Sequence, residues 1–313
     1  MRALVSAALL GLLTLPVQSA DLPEWAYPSN PNPKPPDATT PIKLPGSAKA
    51  YTQAQIDDGF SPPDWYPEDH PPMPDVVAHG RKETNARACA LCHLTSGGGH
   101  PESAGIAGLP VGYFVRQMNE FKSGSRKGAR AVAMTPIAQG LGEEEFKAAA
   151  AYFASMKYPV WYKVVEGDTV PKSYLGNGAM RFPVEGAGAG TEPIGNRIIE
   201  LPQNDLSAES RDPRTGFVAH VPTGSIKRGE EIVATGGAGK TLQCAICHGP
   251  DLKGVGDIPP IVGRSPMYIF RQLNDIKIGT RTGSMVPLMK AVVDKLDDAD
   301  MIAIAAYLTA KGP

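Results

Sequence analysis

Apolar residues recur at helical spacing in two widely separated stretches of the chain. Met267, Phe270, Leu273 and Ile276, with Asn274 among them, follow Ser265-Pro266, a cap with proline at the first helical position. Gly279 ends that run. Nearer the C-terminus, Asp297, Asp298 and Asp300 suit a helix start, and Ile304, Ala305 and Leu308 then form one face. Upstream, Glu143 to Glu145 open a matching helix whose Phe146, Ala149, Ala150 and Phe153 face inward. Short helices are expected over Ile226–Ala234 and, with a weaker pattern, Val76–Lys82. Elsewhere the pattern lapses. Residues 21–75 are Pro-rich and residues 159–224 are rich in Gly, Pro and Asn. Neither shows helical periodicity or strong alternation, and only Asn196–Leu201 reads as a short strand. Extended chain wrapped over two helical units is the expectation for both, a partner-docking surface the alternative.

The two helical stretches are copies of one another. Aligning Tyr113 with Tyr268 places Arg116 and Gln117 on Arg271 and Gln272, Asn119 on Asn274, Lys122 on Lys277, Gly124 on Gly279 and Arg126 on Arg281. Self-similarity on this scale marks a duplicated, domain-sized unit. The expected organisation is a signal peptide over 1–20, a Pro-rich extension over 21–75, one unit over 76–158, a linker over 159–224 and a second unit over 225–313. The signal peptide rests on Arg2, the apolar run Ala3–Leu15, Pro16 and small residues up to Ala20. That run is well short of the ~20 residues a membrane span needs. Export to the periplasm, with no transmembrane segment after cleavage, is the expectation.

Composition narrows the chemistry. Lys and Arg number 31 against 32 Asp and Glu, with no basic run, so nucleic acid is not an expected partner. All 4 cysteines fall in two stretches, Cys89-Ala-Leu-Cys92-His93 and Cys244-Ala-Ile-Cys247-His248. Paired disulfides or redox-active C-x-x-C sites would explain the cysteines of an exported chain but not the trailing histidines. C-x-x-C-H is the attachment pattern of c-type haem. Two thiols one turn apart meet the two porphyrin vinyl groups, and the next imidazole reaches the iron. Two covalently bound haems c are therefore expected, with His93 and His248 as axial ligands through Nε2.

The sixth iron position decides between carrier and enzyme. A methionine there raises the potential and favours electron transfer. Met134-Thr-Pro136 aligns with Met285-Val-Pro287, in segments broken by Gly and Pro, and these methionines are the expected ligands. Met289 is the rival in the second copy. Met118, Met156, Met267 and Met301 read as core.

Both copies resemble class I cytochromes c, and the tandem resembles the dihaem cytochromes c4. The likeness rests on C-x-x-C-H, Tyr-x-x-Arg-Gln, Lys/Arg-x-Gly-x-Arg, Met and a closing helix, "AAAYFAS" and "IAAYLTA", and covers about residues 76–158 and 225–311. It implies a mainly α fold: two tandem class I cytochrome c domains with a Pro-rich N-terminal extension and a long irregular linker. It implies that Tyr113, Arg116, Tyr268 and Arg271 lie near haem propionates, where a cation offsets carboxylate desolvation. It implies that a proline carbonyl orients each proximal imidazole. Pro259 matches that position, whereas the first copy has Ala104 there. The expected work is single-electron transfer between redox proteins: a periplasmic dehydrogenase, a terminal oxidase or another cytochrome. A tightly bound subunit of a dehydrogenase complex is the alternative, and a peroxidase-like dihaem enzyme the more distant one.

Overall fold

The computed structural model describes residues 22–30, 37–128 and 131–313. The expected signal segment lies outside these. Helix α1 (Gln53–Ile56) stands in the leader and starts on a capping box made by Thr52 and Gln55. The first copy holds α2 (Asp75–Ala78), α3 (Cys89–His93), α4 (Val111–Ser123), α5 (Ala131–Gly140) and α6 (Glu143–Ala154). The connecting segment holds β1 (Tyr162–Gly167), β2 (Thr169–Pro171), β3 (Ser173–Leu175), β4 (Arg181–Pro183), β5 (Thr191–Pro193), β6 (Ile199–Pro202), α7 (Asp205–Glu209) and β7 (Phe217–Pro222). The second copy holds α8 (Ser225–Thr235), α9 (Ala245–His248), α10 (Pro266–Lys277), α11 (Val286–Val293) and α12 (Asp298–Ala310).

In the second copy the caps read from the sequence form as expected. Ser265 Oγ accepts from the Tyr268 amide at 3.0 Å, and Asp297 and Asp300 cap one another's backbone at the start of α12. Met267, Phe270, Leu273 and Ile276 enter one core with residues of α8 and α12. Helices α8 and α12 cross so closely at Gly229 that a Cβ there would lie 1.9 Å from the Ala303 carbonyl oxygen. The single face expected for α12 is too narrow. Met301, Ile302 and Ala303 are as buried as Ile304, Ala305 and Leu308, because α8, α10 and β1 pack around the helix and leave no broad side to water.

The first copy departs at its N-terminal helix. The pattern over Val76–Lys82 yields only α2, which stops at Ala78. Gly80 takes a positive φ, and a Cβ there would lie 2.2 Å from the Ala86 carbonyl oxygen, so the chain turns where a helix would continue. The leader adds Met73 to the first copy's core and forms a cluster of its own beside it. Trp65 and Tyr66 pack with Leu44 and Ile56, and Trp65 Nε1 donates to the Ser210 carbonyl at 2.8 Å. The other end of the leader reaches the second copy, where Ala26 joins the core and Trp25 lies 4.6 Å from the Phe270 ring. The leader thus wraps both copies.

The connecting segment is not irregular, and this corrects the sequence reading. β1, β7 and β6 form a three-stranded sheet in that order, with β1 parallel and β6 antiparallel to β7. Tyr162 pairs with Phe217 and Ile199 with His220. Phe217, Ala219 and Val221 are buried while Val218 and His220 are less so, which is the period-two alternation of a half-covered strand. Apolar Val218 masks that alternation in the sequence. Two short hairpins, β2 with β5 and β3 with β4, complete the segment.

Candidate functional site

In the first copy α3 carries Cys89, Cys92 and His93 on little more than one turn, and Leu94, at φ 63, ends the helix directly after the histidine. Gly97 and Gly99, both at positive φ, fold the chain back so that His93 Nδ1 meets the Ala104 carbonyl oxygen at 2.7 Å. A carbonyl only accepts, so Nδ1 carries the proton and Nε2 keeps its lone pair. Burial holds the His93 pKa below its ordinary value, against the opposing pull of that bond, so the ring is neutral. Burial also pushes the Cys89 thiol up to about 12 and raises that of Cys92. Cys89, Cys92, His93 and Met134 all line one cleft, walled by apolar side chains such as Ile106 and Phe114, that encloses about 1250 Å³ with its open mouth.

The second copy repeats the arrangement with more exposure. α9 presents Cys247 and His248, with Cys244 at its cap, and Gly249 at φ 81 ends it. His248 Nδ1 meets the Pro259 carbonyl oxygen at 2.9 Å, and burial again lowers the ring's pKa. Ala104 and Pro259 therefore make the same bond. The interaction uses a main-chain oxygen, so the first copy keeps it without proline. Burial pushes the Cys244 thiol up to about 11, whereas Cys247 is exposed. Met285, at the N-cap of α11, is 46% exposed, and Met289 packs half-buried against the core.

The copies meet across a local two-fold axis. Lys127 N donates to the Thr280 oxygen at 2.9 Å, and Thr282 N donates to the Ser125 oxygen at 2.8 Å. Arg126 Nη1 donates to Gln117 and Nη2 to Gln272 and the Tyr268 hydroxyl. Arg281 makes the mirror set with Gln272, Gln117 and the Tyr113 hydroxyl. Glu120 sits against Gly283 as Asp275 sits against Gly128, each leaving no room for a Cβ. Arg271, 3% exposed, pairs with Glu102 of the first copy at 2.9 Å and donates to the Ala26 carbonyl.

Of the four residues implied beside propionates, Tyr113, Tyr268 and Arg271 line the first-copy cleft. Arg116 does not; it reaches the Asp257 carbonyl at 3.1 Å and lies over the Tyr113 ring. Arg126 lines the cleft in its place, with Gln117 and Gln272. The sequence signal for these three is their recurrence in both copies at one spacing.

The residues fit a covalently held haem. Two thiols one turn apart, a neutral imidazole with its Nε2 lone pair free of any proton, and a thioether share an apolar cleft. The polar end carries Arg126 and Arg271, and Arg281 beside it has a buried Nε without a hydrogen-bond partner. Such cations suit carboxylates taken out of water. Tyr113 registers the same field: burial would raise its pKa, yet Arg281 and Arg126 hold it below the ordinary value.

Comparison with known proteins agrees. The cytochrome c family model matches residues 226–310. The thiosulfate dehydrogenase electron acceptor of Stutzerimonas stutzeri is 27% identical over 241 residues, 76% of this chain and 85% of that protein. Cytochrome c4 of Pseudomonas aeruginosa is 22% identical over 231 residues, 72% of this chain and 85% of that protein. Cytochrome c-554(548) of Halomonas halodenitrificans is 36% identical over 76 residues, 24% of this chain and 92% of that protein. No helix among the described residues is long and apolar enough to cross a membrane. With the helical fold, the haem-binding turn and these relatives in agreement, the chain belongs to the cytochrome c family, as a cytochrome c4-like class I member.

Proposed function

We propose that this is a periplasmic two-haem electron carrier, with one haem c on Cys89, Cys92 and His93 and the other on Cys244, Cys247 and His248. Met134 and Met285 are the sixth ligands. Bound haem supplies one-electron exchange at iron, and the protein's residues set its conditions. Ala104 and Pro259 hold the imidazoles in the tautomer that presents Nε2. The buried arginines between the copies offset carboxylate charge. The methionines raise the potential into a carrier's range. The unit boundaries are those of the repeat, 76–158 and 225–313, preceded by a cleaved signal over 1–20.

The observation that carries this reading is the convergence of Cys89, Cys92, His93 and Met134 on one apolar cleft. Two relatives named thiosulfate dehydrogenase electron acceptors support a donor of that kind. A periplasmic dehydrogenase oxidising a small sulfur anion is therefore the proposed donor, and a terminal oxidase or another cytochrome the acceptor. Intact mass of the exported protein tests the first part, with two added haems and loss of residues 1–20 expected. Anaerobic mixing with thiosulfate dehydrogenase and thiosulfate tests the donor. Reduction of the haem bands is expected, and no reduction rejects that donor.

A further inference from the structure

Leu91 and Ile246 hold the same place in the two C-x-x-C-H turns, yet Leu91 is 4% exposed and Ile246 is 68% exposed. A haem seated on each turn would cover two equivalent positions alike, so the difference comes from the rest of the chain. In the first copy, leader and connecting segment close over the turn. Ala88 N donates to the Gly59 carbonyl at 2.8 Å. Arg211 donates to the Leu91 carbonyl at 2.9 Å and is fixed there by Asp57 at 3.0 Å. Leu94 packs with Trp161 and Phe217. The cleft's other side takes Tyr268, Arg271 and Gln272 from the second copy.

Among the described residues, no such cover lies on the second turn. Ile246 and Cys247 donate their backbone N–H groups only within the turn, to Gln243 and Cys244. Leu242 is 53% exposed beside them, and Val255, 58% exposed, lies against Gly249. The nearby charges are of both signs and most are paired inside the copy. Lys240 is held by Asp300 at 2.7 Å and by Asp297, Lys290 is paired with Asp294, and exposed Lys253 stands in the chain between exposed Asp251 and Asp257. An apolar patch with a nearly balanced rim offers no strong field to a highly charged partner, but it matches a face of like kind.

We infer that protein partners exchange electrons with this molecule at the Cys244–His248 turn of the second copy, through a patch centred on Ile246, and that leader and connecting segment seal the first turn against docking. The partner chemistry is a redox protein whose own centre is ringed by apolar side chains. This rests on the electron-carrier reading and adds the face at which it operates.

The test uses the full-length holoprotein and, as probe, a monohaem class I cytochrome c with an apolar haem rim. Stopped-flow exchange is measured for Ile246→Lys and for Ala54→Lys, an exposed leader position on α1. Titration calorimetry with both proteins ferric gives binding without electron flow. Ile246→Lys is expected to slow exchange and weaken binding at least about tenfold, because a charge must then be desolvated in the contact. Haem spectra and reduction by dithionite should not change. Ala54→Lys should alter neither measurement, and the parent rate should vary less than about twofold between low and moderate salt. Equal effects of the two substitutions, an effect of Ala54→Lys alone, or no effect of either overturns the inference. Holoprotein that carries two haems yet passes no electrons to any protein defeats the carrier reading itself, and that result is distinguishable by its normal dithionite reduction.

Discussion

Arg126 and Arg281 stand at the same position of the two copies and bridge each other's backbone, each giving one guanidinium nitrogen to its own glutamine and another to its partner copy's. Both side chains are buried, at 8% and 9% exposure. Two cations this close are tolerated because Glu120 and Asp275 lie in the same seam and because each guanidinium is hydrogen-bonded on both sides. Helix α4 and helix α10 are thereby locked in one register.

Substituting either arginine should therefore cost more than a surface ion pair would. Arg126→Met leaves the Tyr268 hydroxyl and part of Gln272 unsatisfied in a buried seam, and a loss of ~3 kcal/mol is expected. Arg281→Met should cost about the same by symmetry. The double variant should cost less than the sum by ~1–2 kcal/mol, because both singles break one network. Chemical denaturation of the holoproteins checks this. Strictly additive losses would mean that the two arginines act independently.

The sixth ligand of the second copy is separable by spectroscopy and stability. Met285 is at the surface and Met289 faces the core. Met285→Ala should remove about half of the ferric red-end absorbance that marks methionine on iron, with little change in unfolding. Met289→Ala should keep that band and lose ~1–3 kcal/mol, the cost of trimming a partly buried methionine. An exchange of these two outcomes would move the ligand to Met289.

What can be read from the sequence follows from how local each signal is. The C-x-x-C-H turns, the Ser265 and Asp297 caps and the Phe146 to Phe153 face are set within a few residues, and each forms where the pattern puts it. The sheet escapes such a reading because its evidence is non-local. β1 and β7 pair across the whole connecting segment, and in β7 apolar Val218 hides the alternation. Arg126, Arg281, Gln117 and Gln272 are visible as repeated residues. Their role is not, because it arises only when the two copies are brought face to face. Arg116 and Arg271 show the same limit: equivalent in the repeat, one meets a surface loop and the other lines the opposite copy's cleft.

Close packing at Gly229 gives a stability prediction with an internal control. A Cβ at Gly229 would lie 1.9 Å from the Ala303 oxygen, so Gly229→Ala must push α8 off α12, at an expected cost of ~3 kcal/mol or more. At Gly279, φ +78, a Cβ would meet nothing within 4 Å, so Gly279→Ala carries only the backbone penalty of ~1 kcal/mol. Thermal unfolding of the two variants ranks them, and equal losses would reject the close crossing of α8 and α12.

Glu200 supplies a pH dependence that comes from the connecting segment rather than from either haem turn. The carboxylate is 2% exposed on β6, and Oε1 accepts from Ser265 Oγ at 2.7 Å and from the Met267 amide at 2.8 Å, a second cap on α10. Its other oxygen has no hydrogen-bond partner, and burial pushes the pKa from 4.5 to about 7. The folded state therefore binds a proton more tightly than the unfolded chain does. Stability from this group is full below about 4.5 and is lost as pH rises to about 7. The difference of 7 − 4.5, or 2.5, corresponds to at most ~3 kcal/mol. Glu200→Gln keeps an oxygen for the Met267 amide and carries no charge, so its stability should be flat across that window and should exceed the parent's at pH 8. Melting temperatures of both proteins from pH 4.5 to 8 check the sign, and a parent that gains stability relative to Glu200→Gln as the pH rises would show that Glu200 is held as a carboxylate rather than as an acid.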